Sequence, residues 1–196
     1  MNKRALKRLL TVSAVSFSCL WLSTEVLNKV WVQIRTEIEI SAYIQRLKGK
    51  DSTFRYLAAS ALERIGKEAV PALIAALKDD DQNVRYYATS ALGRIGKEAK
   101  AAIPALIVAL KDNDNDHNVR YRAVSALGSI GKEAVPALIA TLKDHDKDVR
   151  SAAAFALGNI GKEANAAVPA LIVALLDNDQ QVRYYATQAL RSIEKK

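Results

Sequence analysis

Apolar positions along this chain follow a helical beat that restarts roughly every thirty residues. In one copy they fall at Val84, Ala88, Ala91, Leu92 and Ile95, a single face of a helix at about 100° per residue. The same spacing returns after each of five arginines, Arg55, Arg85, Arg120, Arg150 and Arg183. An aspartate stands four residues before each one, at Asp51, Asp81, Asp116, Asp146 and Asp179. A carboxylate there is suited to accept first-turn backbone N–H groups as an N-cap. Glycine is the expected stop, at Gly66, Gly96, Gly131 and Gly161, while the fifth copy has Glu194 and so reads as a half repeat.

A second helix is predicted after each glycine. All four prolines, Pro71, Pro104, Pro136 and Pro169, lie near its start, where a helix tolerates them. "PALIAALKD" and its relatives are apolar on several sides, which predicts a helix packed between neighbours. The steps between successive arginines are 30, 35, 30 and 33 residues. The additions are Lys100–Ala102 and Asn165–Ala167 ahead of a proline, and Asn113–Asp116 in a turn. The stretch from Tyr43 to Arg55 aligns without a gap to Leu73–Arg85, so Ile38–Lys48 reads as a degenerate second helix capping the stack. The expected organisation is residues 1–24 as a targeting segment, 25–42 as an amphipathic linking and capping helix, and 43–196 as the repeat domain.

The pattern D-x-x-V-R-x-x-A-x-x-A-L-G-x-I-G, followed by A-x-P-A-L-I-x-A-L, resembles HEAT-like repeats of the phycobilisome-lyase type over roughly residues 43–194. The resemblance implies an all-α fold, a right-handed α-solenoid of about five helical hairpins behind an N-terminal apolar helix. It does not imply one function, because such folds serve as scaffolds and as chromophore-lyase subunits.

Charge narrows the choice. The net charge is +8, yet residues 1–50 hold nine basic and three acidic residues, and the remainder twenty and eighteen. The repeats therefore lack the electrostatic surplus of a nucleic-acid binder, and another protein is the expected partner. The single cysteine, Cys19, excludes an intrachain disulfide. His117 and His145 sit in different repeats at different offsets, with no second His or Cys at ligand spacing, so no metal is expected. No nucleophile with a nearby base and no glycine-rich phosphate loop appears, so neither catalytic residues nor a cofactor are expected.

A side chain present in every copy reads as architectural. The five arginines are expected to pair with capping aspartates of the same or adjacent repeats, fixing the register. Offsets +1, +5 and +9 from the arginine, with +2 at the margin, lie opposite the apolar face. In the fourth copy these are Ser151, Ala152, Phe155 and Asn159. The resemblance implies that this helix face lines a concave surface. The candidate partner-binding residues on it are Tyr56, Tyr86, Tyr87, Arg94, Tyr121, Arg122, Phe155, Tyr184 and Tyr185, a Tyr and Arg mixture suited to protein recognition.

At the other end, Lys3, Arg4, Lys7 and Arg8 precede sixteen uncharged residues, Leu9–Thr24. This resembles a signal peptide or short signal anchor, with the N-terminus held on the cytoplasmic side and the repeats beyond the membrane. The alternative is a cytoplasmic protein in which the stripe Val26, Val30, Ile34 and Ile38 packs as an amphipathic helix. The expected function is a non-enzymatic interaction scaffold, membrane-anchored or exported. The alternative, implied by the resemblance alone, is a bilin lyase subunit or phycobiliprotein maturation factor.

Overall fold

The computed structural model describes residues 24–112 and 118–194, and among them every regular element is helical. Cys19, Asp116, His117 and the basic and uncharged run up to residue 23 lie outside the described residues. The chain divides into two compact units, Met1–Ile38 and Glu39–Lys196. Helix α1 spans Thr24–Leu47. In the first unit Lys29 pairs with Glu25 one turn away at 2.8 Å, Val30 and Ile34 are half-buried, and Trp31 and Val32 are exposed.

The second unit alternates longer first helices with two-turn second helices. In chain order they are α2 (Ser52–Ile65), α3 (Val70–Ala76), α4 (Gln82–Ile95), α5 (Ile103–Ala109), α6 (Asn118–Ile130), α7 (Val135–Thr141), α8 (Lys147–Ile160), α9 (Val168–Ala174) and α10 (Gln180–Glu194). Capping aspartates start the first helices as their position requires. Asp51 accepts from the backbone N–H of Thr53 and Phe54, Asp81 from Asn83, Asp146 from Asp148, and Asp179 from Gln181 and Val182. Glycine ends α2 and α4 with φ of +76° at Gly66 and +66° at Gly96, and its N–H bonds back to Leu62 and Leu92.

Between the two helices of each hairpin lies a 3₁₀ segment. Its length alternates: four residues at Gly66–Ala69 and Gly131–Ala134, seven at Gly96–Ala102 and Gly161–Ala167. Two of the extra tripeptides in the sequence are therefore added helical turn, which buries Ala102 and Ala167 rather than looping out.

Stacking buries one leucine from each of the first four first helices (Leu62, Leu92, Leu127, Leu157) and one from each second helix (Leu73, Leu106, Leu138, Leu171), all fully enclosed. Each is worth roughly 2 kcal/mol of apolar burial. Alanines at Ala58, Ala88, Ala123, Ala153 and Ala186 let successive first helices pack directly on one another. Gly93 marks a close approach of α4 to α6, because a Cβ there would stand 3.2 Å from Ala126 Cα.

The second helices depart from the expectation that they are packed between neighbours. Their leucines are buried, but Val108 and Val173 are 68% and 70% exposed. A two-turn helix in a single row touches its own hairpin and its row neighbours and leaves its outer side to solvent. Ile74, Ile107 and Ile139 are half-buried; Ile172, with no later second helix among the described residues, is exposed. The stretch Val119–Thr141 is apolar enough to pass for a membrane span by composition, yet half of its most apolar window is buried within the protein.

Candidate functional site

Four of the five recurring arginines share one task. In each, Nη1 donates to a turn carbonyl six residues back: Arg55 to Gly49 at 2.7 Å, Arg85 to Asp79 at 2.9 Å, Arg150 to Asp144 at 2.9 Å and Arg183 to Asp177 at 2.6 Å. For Arg85 and Arg150 the structure shows a partner other than the expected capping aspartate. Arg85 forks onto Asp112, and Arg150 onto Asp177, each an aspartate in the turn before the next first helix. Turn carboxylates, like the capping ones, accept backbone N–H groups, at Asp79, Asp144 and Asp177, and the capping Asp179 takes Lys147 of the preceding repeat at 3.5 Å.

This pairing follows the connector length. Where a long connector precedes the turn, an arginine takes the turn aspartate; where a short one does, a lysine takes it, Lys48 with Asp79 and Lys111 with Asp144. Arg120 is bonded instead to Asp148, at 3.2 Å. These partners hold Asp177, Asp79 and Asp144 below the usual carboxylate range, chiefly through hydrogen bonds from Arg150, Lys48 and Lys111. Backbone N–H groups do the same for the capping Asp51 and Asp179.

The nine candidate partner-binding residues form two groups along the first helices. In the first, guanidinium groups lie on tyrosine rings: Arg94 over Tyr56 at 5.6 Å, Arg122 over Tyr86 at 4.9 Å and Arg55 over Tyr87 at 5.9 Å. Arg122 Nη2 also donates to the Tyr86 hydroxyl at 2.6 Å, and Arg94 pairs with Glu63 at 3.2 Å. In the second group, rings meet rings. Phe155 stacks on Tyr185 with centroids 4.9 Å apart, Tyr121 lies 6.3 Å from Phe155, and Tyr184 meets Tyr185 edge-on at 5.3 Å.

Between the rings of the second group opens a cleft of about 440 Å³, floored by Val124, Ser151 and Ala152. Ser151 and Ala152 were expected on the open face, and they are 5% and 7% exposed. Short side chains lie beneath the rings of their neighbours instead of projecting past them. The cleft escaped a residue-by-residue reading, although its signal is there: the fourth copy has Ser151–Ala152 where the second has Tyr86–Tyr87 and the fifth Tyr184–Tyr185. A second hollow of about 420 Å³ shares Phe155 and Tyr185 and continues to Asn159, Gln188 and Arg191. Chemically the face offers aromatic rings, guanidinium groups and amides, groups that stack and hydrogen-bond. Among the described residues no three His, Cys, Asp or Glu side chains are placed to hold a metal.

Comparison with known proteins accounts for this architecture. The family described as HEAT repeats matches residues 40–117 and again 103–191. The chain belongs to this family. Among solved structures, the HEAT-repeat chain is similar to one in the complex of CpcE and CpcF of phycocyanin lyase from Nostoc sp. PCC7120, with 23% identity and a TM-score of 0.57. That match covers 78% of this chain and 98% of the other. It is also similar to the archaeal HEAT-like repeats protein from Thermococcus onnurineus NA1, with 16% identity, a TM-score of 0.51, and coverage of 87% and 76%. At these identities the HEAT-repeat likeness is one of fold. No curated protein matches the chain significantly.

Proposed function

We propose that this HEAT-repeat chain is a non-enzymatic scaffold that holds another protein against the face of its first helices. The supporting observation is that the candidate side chains, drawn from successive first helices, are held against their neighbours within each of the two groups. Rings and guanidinium groups already held in place lose little freedom on binding, and such residues dominate interface energetics. Affinity capture with the wild type and with Tyr86, Tyr87, Arg94, Tyr121 and Arg122 all changed to alanine tests the reading. Loss of captured partners with helical content intact is expected; an unchanged set of partners removes it.

Residues 1–24 are proposed to anchor the scaffold to a membrane or carry it across one. The support is the order of Lys3, Arg4, Lys7 and Arg8 ahead of the uncharged run to Thr24. A periplasm-active reporter fused after Lys196 is expected to be active, and glutamate at those four positions to weaken or invert this. Full-length protein found soluble in the cytoplasm with its N-terminus intact discards the proposal.

A second reading, a bilin lyase subunit, draws on the fold likeness to the CpcE and CpcF complex. Incubating purified protein with an apo-phycobiliprotein and bilin decides it, because absence of any gain in chromophore attachment excludes it.

A further inference from the structure

A shift of sixty-five residues lays one pair of repeats on the next, carrying Arg55 onto Arg120 and Arg85 onto Arg150. The same shift carries Tyr56 onto Tyr121 and Arg94 onto Asn159. In the first pair Arg94 lies over the Tyr56 ring. In the second pair asparagine replaces that arginine, and the tyrosine remains. Two more arginine and tyrosine pairs, at Tyr86 and Tyr87, belong to the first group on this face. Around the cleft, Phe155 contacts both Tyr121 and Tyr185, and among the described residues no guanidinium or ammonium group lies over these rings.

We infer that the cleft walled by Tyr121, Phe155 and Tyr185 receives an arginine side chain of the partner protein, which lies on these rings as the chain's own arginines lie on the tyrosines of the first group. The inference rests on the first-helix face being the protein-binding surface and names what one part of it selects. The chemistry fits at both ends of an arginine. The ring faces attract the planar cation. Val124 and Ala152 on the floor offer apolar surface to its methylene stem. The cation that borders the cleft, Arg120, is already bonded to Asp148 at 3.2 Å, which moderates its repulsion of an incoming charge.

The test is an aromatic NMR titration of the full chain with three short capped peptides, Gly-Arg-Gly, Gly-citrulline-Gly and Gly-Phe-Gly. Citrulline keeps the shape of arginine and removes its charge. Saturable shifts of the Tyr121, Phe155 and Tyr185 rings with the arginine peptide are expected, at affinity roughly fivefold or more above the citrulline peptide. Phe155→Leu, which keeps apolar volume and loses the ring, is expected to abolish the preference. Asn159→Arg, which restores the internal pair on Tyr121, is expected to weaken binding roughly fivefold. Equal binding of arginine and citrulline, stronger binding of phenylalanine, or no ring shifts with any peptide overturns the inference. If the titration fails while the five-alanine protein still loses its captured partners, the interaction face stands and only this assignment falls.

Discussion

Arg150 donates from Nε to Asp177 Oδ2 at 2.7 Å and from Nη2 to Oδ1 at 2.8 Å, across twenty-seven residues of chain. The same guanidinium reaches back to the carbonyl of Asp144. One side chain thus closes the turn of its own repeat and fixes the position of the next. Both partners are largely shielded, at 16% and 14% side-chain exposure, so the pair acts in a medium where a lost partner is felt.

Replacing Arg150 with lysine, or Asp177 with asparagine, is expected to lower stability by about 2 kcal/mol in urea unfolding, because neither restores the fork. Arg94→Ala, which cuts the more exposed pair with Glu63, is expected to cost under about 1 kcal/mol. Equal losses would show that the fork does not set the stacking.

Acid should weaken the stack. Asp79, Asp144 and Asp177 have folded pKa values below the ordinary 3.8. A depressed carboxylate contributes stability that is fully present above its unfolded value and is lost as pH falls through its folded value. Stability is therefore expected to hold from neutral pH to about pH 5 and to decline below about pH 4. Asp177→Asn should flatten part of that decline, as read from urea midpoints across the range.

Gly93 sits inside α4, where alanine would ordinarily gain about 1 kcal/mol. Here a Cβ would meet Ala126 Cα at 3.2 Å, backbone that cannot step aside as a flexible side chain can. Gly93→Ala is expected to lower the thermal midpoint despite its better helix propensity. A rise in midpoint would mean that α4 and α6 separate without penalty.

Two leucines give a contrast in burial. Leu127 is fully enclosed and Leu176 is 85% exposed. Leu127→Ala is expected to cost about 2–5 kcal/mol, and Leu176→Ala less than about 0.5 kcal/mol, both measured by denaturant unfolding. Similar costs would contradict the placement of the core.

What the sequence revealed depended on how far each interaction reaches. The cap at Asp51 and the stop at Gly66 are settled within one turn, so their spacing alone discloses them. The apolar stripe at Val84, Ala88 and Leu92 is likewise local, and all three are buried. The partner of Arg85 was not legible, because its reach to Asp112 depends on how a seven-residue 3₁₀ segment sets one hairpin against the next. The outer side of α5 and α9 misled for a related reason: apolar residues there look like core until the single-row arrangement leaves Val108 and Val173 open. The cleft required two copies to be compared, since Ser151 and Ala152 matter through the tyrosines they replace.

The alternation of four- and seven-residue connectors gives the stack a parity. Excising residues 86–150 would join Arg85 directly to Ser151 and preserve the order of short and long, because the cut removes one whole pair. Excising residues 56–85 would remove a single copy and reverse that order for everything downstream of α1. Lys48 would then face a turn that follows a long connector, where an arginine of the preceding repeat belongs. The natural unit for lengthening or shortening this protein is thus the couple of hairpins, and growth by odd numbers carries a misfit that growth by even numbers avoids.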